Sequence, residues 1–259
     1  MRMMKKVLGT VTVLALSVSL LAGCGSTAAS PVSSAASTAA ESTTSSVVSE
    51  TTSAAADENE AAAAQLLNDL TGSYQELWPV ILADEYKQTW LDDCTALVGE
   101  DNAEAAFEKL SSMVTGDVYG EDAVKAYANG GGAYFCGFTN SLATLTFDGE
   151  TSTISGTDKD GNVLFSHTYH YIGMEPVRGL YEFESDDADS GEFTYFFLAP
   201  DTSAETYHIE FRYGSDAEAL SQYDAGEYAY WLASGISTDC DQTMIDNCIE
   251  LFCTENLAG

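Results

Sequence analysis

Polar and apolar positions divide the chain into three regimes. An apolar run, Val7 to Leu20, stands near the N-terminus. Residues 25–60 are almost entirely Ser, Thr and Ala, with no aromatic residue and no Leu, Ile or Met. From residue 61 onward, apolar positions recur at the spacings of regular structure. Helical periodicity predicts helices over Ala61–Leu70, Glu85–Leu97, Ala103–Met113 and Glu121–Tyr127, separated by turns that contain Gly. After Gly130-Gly131-Gly132 the sequence turns to short runs rich in Phe, Tyr, Thr and Val. These predict strands at 133–138, 142–148, 151–156, 162–171, 179–185, 192–198 and 205–213. Asp148-Gly149 and Asp160-Gly161 read as hairpin turns between them. Near 240–256 a final helix is predicted, with Met244, Ile245, Cys248, Ile249 and Phe252 on one stripe facing the sheet. Seven short strands joined by tight turns predict an antiparallel sheet that closes into a sandwich or barrel, a mainly β fold with flanking helices.

The first regime has the parts of an export signal. Arg2, Lys5 and Lys6 precede the apolar run, which is too short for a normal spanning helix. The tetrapeptide Leu21-Ala22-Gly23-Cys24 that follows resembles a bacterial lipobox. The resemblance implies removal of residues 1–23, lipidation of Cys24, and anchoring on the extracytoplasmic face of the cell membrane. Each buried methylene contributes about 0.8 kcal/mol to such an anchor. Residues 24–60 cannot bury enough apolar surface to offset their ordering entropy, so they read as a tether, with an r.m.s. reach of roughly 30–35 Å. One folded domain, 61–259, remains.

Charge narrows the partners. The chain holds nine Lys and Arg against 41 Asp and Glu, and removal of 1–23 takes three basic residues and no acidic one. Six against 41 leaves a formal balance of −35. Nucleic acid is excluded as a partner, because phosphate binding needs basic surface. Attraction to anionic lipid is disfavoured too, so membrane contact is expected through the lipid anchor alone. Beyond Cys24, the spacings of Cys94, Cys136, Cys240, Cys248 and Cys253 form no metal knuckle, and no disulfide is assigned. Cys248, within the stripe of the last helix, reads as a core residue. Asp158-Lys159-Asp160-Gly161 lacks the ligand order of a calcium loop and reads as a turn. Asp186-Asp187-Ala188-Asp189 reads as a solvated loop. No nucleophile triad, H-E-x-x-H or phosphate loop is present, and the chain reads as a non-enzyme.

Three stretches, in order over most of 70–235, resemble the ZinT family of exported metal-binding proteins. Gly72-Ser73-Tyr74-Gln75-Glu76-Leu77-Trp78-Pro79 is similar to the family's opening motif. Val177-Arg178-Gly179-Leu180-Tyr181-Glu182-Phe183-Glu184, with Leu198-Ala199-Pro200 beyond it, is similar to its central hairpin. Thr206-Tyr207-His208-Ile209-Glu210-Phe211 resembles the H-x-H-I strand that carries its zinc ligands. The resemblance implies a lipocalin-like (calycin) barrel with N-terminal helices and a C-terminal helix. It also implies a divalent cargo, zinc, handed to a metal-uptake transporter. The chain departs from the family at the ligands: Thr206 replaces the first histidine of the pair, and Tyr195 to Pro200 contains none. His208 remains, with Glu210 two residues on and therefore on the same strand face. Of His167 and His170, three apart on one strand, a single ring can share a face with His208, and His170 completes the expected set of His208, Glu210 and His170. The alternative is a calycin-type module that has lost its metal and holds a small ligand or a partner protein, with Tyr228, Tyr230 and Trp231 as its aromatic surface.

Overall fold

The computed structural model describes residues 58–127, 133–200 and 208–258. The expected signal and lipidation site, and the tether up to residue 57, lie outside them. Five helices and one strand open the described chain: α1 (58–69), β1 (Gly72–Glu76), α2 (Leu77–Ile81), α3 (Lys87–Val98), α4 (Glu100–Val114) and α5 (Glu121–Tyr127). Helix α1 includes residues 58–60, which the sequence reading gave to the tether. Six strands follow: β2 (Thr144–Asp148), β3 (Thr153–Thr157), β4 (Val163–Met174), β5 (Tyr181–Ser185), β6 (Tyr195–Leu198) and β7 (Ile209–Gly214). A short α6 (Ala217–Leu220), β8 (Ala233–Ser237) and the last helix α7 (Gln242–Leu257) complete the order. Among the described residues, no helix is long and apolar enough to cross a membrane.

The eight strands form one closed antiparallel barrel in sequence order, each paired with its neighbours and β1 paired with β8. This is the up-and-down arrangement of lipocalin-type barrels. The expected strand over 133–138 is not formed; Phe135 makes only isolated bridges, to Thr115 and Trp231. The barrel is closed instead by β1 and β8, which the alternation pattern does not reveal. Strand β4 serves two partners, β3 through residues 163–168 and β5 through 169–174, with a register shift between Tyr171 and Gly173.

Alternation sorts the residues into two cores. Phe165, Tyr169, Phe183, Phe196, Phe211 and Tyr213 point inward, and Trp231 packs against the Tyr213 ring with centroids 5.0 Å apart. Their rings fill the interior, each contributing about 1.5–3 kcal/mol by leaving water. The Trp231 indole also donates to Gly137 O at 2.9 Å, so the segment expected to be a strand packs beside it. The second core lies outside the wall, where α2, α3, α4 and α7 bury Trp78, Trp90, Leu110, Ile245 and Ile249 against Ile236 of β8. Trp90 donates to Ile81 O at 2.7 Å and thereby fixes α2 to α3. Helix α7 starts at Asp241, whose carboxylate accepts from Met244 N at 2.9 Å.

Candidate metal site

Strand β7 positions the site. Its alternation sends Ile209, Phe211 and Tyr213 into the barrel and Glu210 and Arg212 out of it, with His208 in phase with the outer set. Each outward side chain meets a different cover. Arg212 is fully buried; its guanidinium donates to the carbonyls of Leu220, Gln222 and Tyr228 and stacks 4.3 Å from the Tyr223 ring centre. His208 and Glu210 lie under α2 and α7, in a small recess of about 70 Å³ that Leu77, Trp78, Ile81, Cys248, Leu251, Phe252 and Glu255 also line.

Within this recess His208 Nδ1 stands 4.0 Å from the sulfur of Cys248. Burial pushes the Cys248 thiol up to about 12, and the nearby carboxylates of Glu255 and Glu210 add to the effect. The thiol is therefore protonated at neutral pH and must lose that proton to become a metal ligand. Nitrogen, sulfur and carboxylate donors thus share one recess. Among the described residues, however, no three His, Cys, Asp or Glu groups already converge as a metal-holding set.

The expected set is only partly assembled. His208 and Glu210 share the recess, as their spacing requires. His170 does not join them: it lies on the outer face of β4, half exposed, with Nδ1 2.7 Å from Asp186. Strands β5 and β6 separate β4 from β7, so alternation could place the two rings on one side of the wall but not together. His167 points inward, stacked against Phe165 and bonded to Asp187 at 2.7 Å. The loop read as merely solvated therefore supplies carboxylates to both histidines. Tyr228 and Trp231 are buried core rings, not an open aromatic surface. Thr206 lies outside the described residues.

Cys248 and Glu255 were missed as site residues. A signal for them exists, because residues seven apart on a helix return to nearly the same face. The apolar stripe concealed it: Cys248 is 2% exposed and belongs to the outer core as well as to the recess.

Two solved structures are similar to this chain. One is the Zn(II)-bound ZinT-like domain of Streptococcus pneumoniae AdcA, at 16% identity over 71% of this chain and 89% of that one, with a TM-score of 0.45. The other is Zn(II)-bound AdcA from Streptococcus pneumoniae, at 15% identity over 72% of this chain and 35% of that one, with a TM-score of 0.42. The chain thus spans about a third of the length of the second. No family model matches the sequence, and no curated protein matches it.

Proposed function

We propose that this chain is an extracytoplasmic lipoprotein, anchored through Cys24, whose domain captures a divalent metal ion in the recess between the barrel wall and α7. Zinc is the first choice, and an uptake transporter in the same membrane is the recipient. The observation that carries this reading is the approach of the His208 imidazole to the Cys248 thiol. Tetrahedral zinc with a nitrogen and a sulfur ligand at 2.0–2.3 Å needs the two donors about 3.5 Å apart. They stand at 4.0 Å, so a shift of about half an ångström brings them to ligand spacing. Glu210 and Glu255 line the same recess and can turn inward to complete a four-donor shell.

The test is calorimetric titration of the metal-stripped protein with zinc. One equivalent should bind at micromolar affinity or tighter, and His208→Ala and Cys248→Ser should each weaken it by at least about 10–100-fold. Cobalt(II) in place of zinc should show thiolate charge-transfer absorption that Cys248→Ser abolishes. Zinc binding indifferent to both variants would place the metal elsewhere.

A second reading, a binding module without metal, is favoured by one observation. An open groove of about 380 Å³ runs outside the barrel, lined by Trp78, Pro79, Leu82, Val114 and Phe135. Its volume suits a small apolar ligand, whereas the barrel interior is filled. Failure of the zinc titration would put this reading ahead.

A further inference from the structure

Five described cysteines are reduced in this structure, at positions 94, 136, 240, 248 and 253. They are not equivalent. Cys136 bonds the carbonyl of Tyr134 through its thiol, and Cys248 faces His208. Cys94 on α3 and Cys253 on α7 face each other, sulfur to sulfur at 4.0 Å, across the seam where the two helices pack. Both are fully buried.

We propose that Cys94 and Cys253 close into a disulfide that ties α7 to α3 in the exported protein. The bond requires the sulfurs to approach from 4.0 Å to about 2.05 Å. The chemistry needs an oxidant, and the class that fits is another disulfide, carried by a small thiol or a thiol oxidoreductase. One cysteine thiolate attacks that disulfide and expels one thiol. The second cysteine then displaces the other thiol, giving one protein S–S bond and two reduced thiols. Two electrons and two protons pass from the cysteines to the oxidant.

The timing follows from burial. In the folded domain neither sulfur is exposed, so an oxidant cannot reach either thiol. The bond therefore forms before the α3–α7 seam closes, and folding then seals it from reductants. It is a structural lock that spans nearly the whole domain. It also leaves Cys248 as a thiol, so the lock does not compete with the proposed metal site and does not depend on it.

The full chain, folded with glutathione disulfide present, is alkylated in denaturant without reductant and weighed intact. Leaving Cys24 aside, three of the five cysteines should take the label, and a digest should yield one peptide pair joining Cys94 to Cys253. Labelling of all five, or a bond to another cysteine, overturns the proposal. The reduced protein should unfold about 5–15 °C below the oxidised one. The double variant Cys94→Ala, Cys253→Ala should match the reduced protein and ignore reductant. Equal midpoints for oxidised and reduced protein would also overturn it.

Discussion

Asp93, on α3, has one carboxylate oxygen shut away from water without a hydrogen-bond partner. Burial raises the pKa of this carboxyl, and Glu250, Asp246 and Asp92 push it further in the same direction. The ionised group therefore costs stability in the folded state. The cost is absent below the ordinary carboxylate value, near pH 4, and is complete once pH has risen past the raised folded value. Asp93→Asn should stabilise the protein at neutral pH by about 0.5 kcal/mol, a modest figure because the carboxyl is only part-buried and its other oxygen is screened by solvent. Thermal midpoints of variant and parent should coincide near pH 4 and separate by about 1–2 °C at pH 7. At this scale the sequence is only partly legible. Spacing shows that His208 and Glu210 share a face, but not whether that face looks into the barrel or under α7. The side is decided by the bulk of Phe211 and Tyr213, which take the interior.

At the scale of elements, the glycine of the Asp148-Gly149 turn serves a different purpose from the one its motif suggests. The backbone at Gly149 is not left-handed; Ser152 carries the positive φ of that turn, 52°. Gly149 is needed because α1 lies against it, and an added Cβ would fall 2.4 Å from Asn68 Cα and 2.6 Å from Leu67 O. Gly149→Ala should therefore push α1 off the barrel and destabilise it by about 1–3 kcal/mol, measured as a lower denaturant midpoint. Gly161, by contrast, has φ 81° with nothing near its missing side chain, the hairpin role its motif announces. Six of the seven strands expected from alternation are present, as is the C-terminal helix. The pair that closes the barrel was illegible for physical reasons. In β1 only Tyr74 is buried, so its pattern is too sparse. In β8, Ala233-Ser234-Gly235-Ile236, both faces are buried between the barrel interior and the helical layer, which leaves small residues and no alternation.

For the whole molecule, charge dominates. Beyond residue 23 stand four lysines and two arginines, and Arg212 is committed to interior carbonyls. Lys87 and Lys125 make exposed ion pairs that add little. At a formal charge of −32 the folded state repels itself. Raising sodium chloride from about 0.01 M to about 0.15 M shortens the screening length from roughly 30 to 8 Å, and the thermal midpoint should rise with it. A midpoint that falls or stays flat across this range would show that the acidic groups are too dispersed to matter.

Closure of the barrel by β1 and β8 has a consequence in time. The two strands lie at residues 72–76 and 233–237, so the pairing that seals the wall joins the two ends of the domain. Contacts this distant along a chain form slowly, because most of the loop entropy must be lost first. A chain synthesised from its N-terminus presents β1 long before β8 arrives. For that interval β1 is an unpaired sheet edge, open to the strands of neighbouring copies. The same negative charge that strains the finished domain then keeps the unfinished chains apart.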